Sequence, residues 1–143
     1  MTFLLDVNVL VALIDPAHVH HDRVHVWFEA EGGGEWSSCP PTENGVCRIV
    51  GHQSYPNSPG GPGVVARLMA RVRDHPGHRF WADDLSLLDD ELFDLNRLLS
   101  CSQVTDAYLL GLAIRHGGQL ATLDRRLVVD PVRAGASGLR LIG

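Results

Sequence analysis

Residues 2–16 read Thr2-Phe3-Leu4-Leu5-Asp6-Val7-Asn8-Val9-Leu10-Val11-Ala12-Leu13-Ile14-Asp15-Pro16. Thr2 to Leu5 is a short apolar segment, and the run Val9 to Ile14 is stopped by Asp15-Pro16. The stretch therefore predicts a strand, a turn and a short helix, with Asn8 as the helix N-cap.

Working outward, Val24, Trp27, Phe28 and Ala30 keep helical spacing until Gly32-Gly33-Gly34, and Glu35 to Ser38 suits a second brief strand. Pro40-Pro41 opens a helix carrying Val46, Ile49 and Val50, interrupted by Gly45 and expected to end near Tyr55. Asn57 to Gly63 is a surface loop, and Val64 to Val72 carries a helical stripe. Arg79 to Ala82 predicts a third strand, and Leu87 to Leu99 an amphipathic helix with acids at its start. Ser102 is placed to cap a helix that runs to His116 and stops at Gly117-Gly118. Gln119 to Leu123 and Leu139 to Ile142 complete the strands. Strands alternating with helices imply an α/β fold whose mostly parallel sheet is covered on both faces.

The chain has 143 residues, 45% hydrophobic and 20% charged, which suits a single domain over 1–143 with one core and excludes wholesale disorder. Cys39, Cys47 and Cys101 form no CxxC pair and sit in apolar surroundings, arguing against a disulfide framework or a cysteine-rich zinc site and for a reducing cytosol. The longest apolar run, Val7 to Ile14, is too short to cross a membrane, so no membrane association is expected. All 12 basic residues are arginine. With no lysine, a Walker A loop, a pyridoxal phosphate Schiff base and the usual receiver-domain pocket are excluded. A net charge of -5 argues against holding nucleic acid by bulk electrostatics. A polyanionic partner needs another source of positive charge.

Ligands of an open parallel sheet collect beyond the carboxyl ends of its strands. Four acids qualify: Asp6 after the first strand, Glu43 in the first turn after the second, Asp106 in the first turn of the helix from Ser102, and Asp124 after Gln119 to Leu123. Singly, each is an ordinary helix-start or strand-end acid. Together they repel unless a cation sits among them, and an all-oxygen set selects Mg²⁺ or Mn²⁺ over zinc.

Four stretches carry a family likeness: Leu4-Leu5-Asp6-Val7-Asn8-Val9-Leu10, Pro41-Thr42-Glu43-Asn44-Gly45 with Arg48, Val104-Thr105-Asp106-Ala107-Tyr108-Leu109, and Ala121-Thr122-Leu123-Asp124. In this order they resemble the PIN-domain ribonucleases over almost the whole chain, and most of all the VapC toxins of bacterial toxin–antitoxin pairs. The resemblance implies a PIN-like three-layer α/β/α fold with a central, mostly parallel sheet of four or five strands. It implies that Asp6, Glu43, Asp106 and Asp124 build a metal site for Mg²⁺, with Mn²⁺ as a substitute. Asn8 and Thr105 match positions that orient these carboxylates or the attacking water, although Asn8 also reads as a helix cap and Thr105 as a first-turn residue. The implied activity is endoribonucleolytic hydrolysis leaving 5′-phosphate and 3′-hydroxyl ends, in a toxin paired with a small antitoxin. Arg48 and Arg125 could meet RNA phosphate, but a solvated or salt-bridged arginine is the commoner case.

His18, His20, His21 and His25 form a second cluster. The one-turn spacing of His21 and His25 can bind zinc, but no third ligand is matched, and a surface or subunit-contact role fits better. The histidines also allow a metal-independent ribonuclease using an imidazole acid and base. A haloacid dehalogenase-type phosphatase shares the first Asp but needs a second where Asn8 stands. A non-catalytic PIN-like binding module is the remaining alternative. The apolar stripes of Val64 to Val72 and Val24 to Phe28 suggest homodimerisation, with core packing as the plainer reading.

Overall fold

Phe3–Leu5 is β1, the middle strand of a five-stranded sheet in the computed structural model, which describes all 143 residues. From β1 the sheet extends through β2 (Trp36–Ser38) to β3 (His78–Phe80) on one side, and through β4 (Gln119–Thr122) to β5 (Leu139–Leu141) on the other. Every pairing is parallel, with Leu4 opposite Leu120 and Leu5 opposite Ala121 between the central strands. The strand order changes direction at the β1/β4 boundary, where an open α/β sheet leaves a crevice beyond its strand ends.

Alternation along the strands divides the core in two. Phe3, Leu5, Trp36 and Ala121 pack with α1 (Val7–Ile14), α2 (His21–Ala30), α3 (Pro40–Val50) and α4 (Pro62–Arg73). Leu4 and Leu120 turn to the other face, against α5 (Val104–Arg115) and the loops around Trp81, Phe93 and Val132. The result is a three-layer α/β/α sandwich. No helix is long and apolar enough to cross a membrane.

α1 is buried almost all round, from Val9 to Leu13, and its ends need partners. Asp6, not Asn8, is the N-cap: its carboxylate accepts the Val7 amide. At the far end His21 and His25 contact the Ala12 and Leu13 carbonyls at 2.7 and 3.2 Å. Two members of the histidine cluster thus satisfy the last turn of a buried helix.

Several sequence-based boundaries move for identifiable reasons. α3 stops at Val50 rather than near Tyr55, because Gly51 packs so closely on Pro62 that a Cβ there would lie 2.7 Å from its Cα. Ser100, not Ser102, caps the approach to α5, accepting the Ser102 amide and introducing a 3₁₀ turn over Cys101–Gln103. Leu87 to Leu99 is not a helix. Ser86, Asp89 and Asp94 accept the amides of Leu88, Glu91 and Asn96, each two residues on, so local turns capture the backbone. Phe93 then bridges to Val132 and is buried. The stripes suggested as dimer surfaces are taken up largely by the core, through Val65 and Met69 in α4 and Val24 and Trp27 in α2.

The close fit of α5 to this loop gives a stability test. A Cβ at Gly111 would lie 2.4 Å from the Phe93 ring. Gly111→Ala is expected to destabilise the protein by about 1–3 kcal/mol despite its gain in helix propensity. Urea unfolding measures it; an unchanged midpoint would show that the loop yields freely.

Candidate active site

β1 ends at Leu5 and β4 at Thr122, so Asp6 and Asp124 leave the sheet from adjacent strand ends at the boundary where the order reverses. Asp6 is buried and accepts twice, from the Val7 amide through Oδ1 and from the Thr122 hydroxyl through Oδ2, both at 2.7 Å. Thr122 is fully buried and its Oγ1 also accepts the Asn8 side-chain amide and the Asp124 backbone amide, each at 3.1 Å. Asn8 Oδ1 completes the ring by accepting the Leu123 amide at 3.1 Å. One hydroxyl therefore ties the start of α1 to the end of β4.

Asp106 enters from the first turn of α5, half-buried, with no hydrogen bond to its carboxylate. Burial, reinforced by the charges of Asp6 and Asp124, pushes its pKa up to about 6. Asp6 shifts the same way: burial raises it against the pull of the Thr122 and Val7 hydrogen bonds, and Asp124 adds repulsion. Asp6, Asp106 and Asp124 line one cavity of about 420 Å³, with Asn8 beside them. The rest of its lining is apolar or aromatic: Val7, Val11, Ile49, His18 and Tyr55.

Glu43 reaches the same sheet edge from the first turn of α3, but both its oxygens are engaged elsewhere. Oε2 accepts the Ser38 hydroxyl at 2.6 Å, and Oε1 pairs with Arg73 at 3.3 Å. Since Ser38 gives its proton to Glu43, His78 Nε2 is the donor in its 2.7 Å contact with the Ser38 oxygen. That ring is neutral at working pH, because burial, then Arg73 and Arg79, lower its pKa to about 4. Glu43 does not line the cavity of the three aspartates.

Residues 3–129 match the family profile described as the PIN domain. Ribonuclease VapC44 of Mycobacterium tuberculosis is 42% identical over 132 residues, covering 92% of each chain. Ribonuclease VapC38 of the same organism is 44% identical over 121 residues, 85% of this chain and 84% of that one. Ribonuclease VapC39 is 38% identical over 135 residues, 94% and 96% of the two chains. The chain belongs to the PIN-domain family, in its VapC branch.

Within this PIN domain the four acids singled out in the sequence divide, with Asp6, Asp106 and Asp124 sharing a cavity and Glu43 held beside it by Ser38 and Arg73. Asn8 is a clamp on β4 rather than a cap. Thr105 is exposed in the first turn of α5. Arg125 is exposed, and Arg48 lines a separate cavity with Cys47 and His52. Sequence reasoning passed over Thr122, although it lies inside a quoted motif, because a buried threonine at a strand end carries no pattern of its own. It also passed over Tyr55, named only as a helix end, and over the entry of His18 into the cavity.

The burial of Asp106 beside Asp6 and Asp124 predicts a pH effect in this PIN domain without divalent ions. A carboxyl raised from 3.8 to about 6 by folding leaves stability intact below pH 4 and removes it as pH climbs through 6. Asp106→Asn is expected to be more stable than wild type at pH 7 by about 1 kcal/mol, after allowing for solvent screening. The difference should vanish near pH 4. Urea unfolding in EDTA at the two pH values reads this, and a variant less stable than wild type at pH 7 would contradict it.

Proposed function

We propose that this PIN domain, acting as one unit over residues 1–143, is a Mg²⁺-dependent endoribonuclease and the toxin of a type II toxin–antitoxin pair. One observation carries the reading. In a relative of proteins named ribonuclease, Asp6, Asp106 and Asp124 line a single cavity that contains no arginine. Three carboxylates gathered with no arginine among them are a costly arrangement, and a divalent cation relieves it.

Asp6, Asp106 and Asp124 offer only carboxylate oxygens, a donor set that fits Mg²⁺ or Mn²⁺. In the present side-chain positions no three acidic, imidazole or thiol groups share one ion's coordination distance, so coordination requires the carboxylates to turn toward one another. Asp6, Asp106 and Asp124 would hold the ion, and Glu43 would join on release from Arg73. When bound, the metal supplies Lewis acidity, lowering the pKa of water and neutralising charge on the phosphodiester.

The protein's own groups do the positioning. Thr122 and Asn8 fix the Asp6 carboxylate and the first turn of α1. Thr105 offers an exposed hydroxyl beside Asp106, suited to orienting the attacking water. The substrate is RNA, and the partner is a small cognate antitoxin. The exposed apolar side chains Val26, Val64 and Phe80 offer surface for that partner and for a homodimer. The free cysteines suit a reducing cytoplasm.

Incubation with single-stranded RNA in Mg²⁺ should give fragments with 5′-phosphate and 3′-hydroxyl ends, competent for direct ligation. EDTA should stop the reaction, and Asp6→Asn or Asp106→Asn should bring it to background while leaving the circular dichroism spectrum unchanged. Cleavage that persists in EDTA and leaves cyclic phosphate ends would transfer the chemistry to an imidazole and overturn the metal mechanism.

A further inference from the structure

The cavity that holds the three aspartates is chemically two-sided. Beside the acids and Asn8 stand Val11, Ile49, His18 and Tyr55, and Ile49 is 43% exposed although its neighbours Val46 and Val50 are buried. Val11 belongs to the core and Tyr55 packs against it, so this wall is held firmly beside the acids.

The Tyr55 hydroxyl and one ring nitrogen of His18 are already committed. The Tyr55 hydroxyl donates to Asp15, which is buried and does not line the cavity. His18 Nδ1 accepts the His20 amide at 3.0 Å. The same Asp15 accepts the His18 backbone amide through its carbonyl at 3.0 Å and the Ala17 amide through its carboxylate at 2.9 Å. A single buried residue thus anchors the Tyr55 ring by its hydroxyl and the His18 segment by its backbone. What Tyr55 contributes to the cavity is its ring and not its hydroxyl.

From this arrangement we infer that Tyr55, with His18 and Ile49, forms a stacking subsite for one unpaired nucleobase of the RNA, next to the phosphate held at Asp6, Asp106 and Asp124. Unpaired bases are held by stacking on aromatic faces, and such contacts need no particular base, whereas paired bases cannot enter. The subsite also gives an acidic protein a source of affinity for RNA that does not rest on basic charge. The inference rests on the nuclease reading for the identity of the ligand, but it makes a separate demand on the protein.

The test uses the full chain and fluorescence anisotropy in Ca²⁺, a hard ion with the same oxygen preference. The probes are short fluorescein-labelled oligo(A) and an abasic ribose-phosphate chain of equal length. Wild type should bind oligo(A) about tenfold more tightly than the abasic chain, the scale of one stacked base. Tyr55→Ala should remove that difference and leave binding of the abasic chain unchanged. Tyr55→Phe, which keeps the ring and loses the bond to Asp15, should retain the preference even if its melting temperature falls.

Equal affinity of wild type for the two probes overturns the proposal and leaves the apolar wall to a protein partner. So does a Tyr55→Ala variant that weakens both probes alike. Cleavage assays on the same oligo(A) in Mg²⁺ separate this from the nuclease reading. Base preference without cleavage sinks the nuclease and spares the subsite, while cleavage without base preference does the reverse.

Discussion

The hydroxyl of Thr122 is the point on which the functional edge of this protein depends. It donates to Asp6 while accepting from Asn8 and from the Asp124 amide, so three residues from two chain segments converge on one oxygen. The site is fully buried, where an unpaired polar group is expensive, and the network is therefore all-or-none in character. Parallel pairing of β1 and β4 brings the two segments together, and the hydroxyl converts that pairing into a defined geometry for the acids. Removing it would leave Asp6, Asn8 and Asp124 each short of a partner.

Around this fixed point the molecule keeps charge under tension. Asp6 and Asp106 are both pushed above ordinary carboxylate values by burial and by neighbouring acids. Glu43, by contrast, is neutralised within the protein by Arg73, whose guanidinium also lies 4.9 Å from the centre of the Phe80 ring. The site thus has an uncompensated part and a compensated part. On the proposed reading an incoming cation would gain most from the former, with Glu43 beside it. An apolar wall completes the cavity beside the acids.

Much of this was legible in the sequence. The strand-to-helix handover around Asp6, the alternation of strands and helices, and the four acids near strand ends are all written in local pattern and spacing. The likeness to PIN-domain ribonucleases supplied the sheet and its layers. What local pattern did not convey was competition. In Leu87 to Leu99 apolar residues at helical spacing lost to Asp89 and Asp94, whose side chains capture nearby amides and whose turns bury Phe93. Asn8 has the chemistry of a cap, but Asp6 stands closer to the helix start and takes that role. The commitment of Glu43 to Ser38 and Arg73 joins residues from three separate elements, which no one-dimensional reading reveals. Tyr55 was invisible for the same reason, since its importance lies in what Asp15 does to its hydroxyl.

The aspartates gathered by the β1/β4 boundary are proposed to act as one site for a hard divalent cation. Titration of Mn²⁺ into the protein at neutral pH, followed by the loss of the free-ion electron paramagnetic resonance signal, tests it most directly. Saturable uptake is expected for wild type, and its loss in a variant carrying both Asp6→Asn and Asp106→Asn. Uptake by that variant equal to wild type would contradict it.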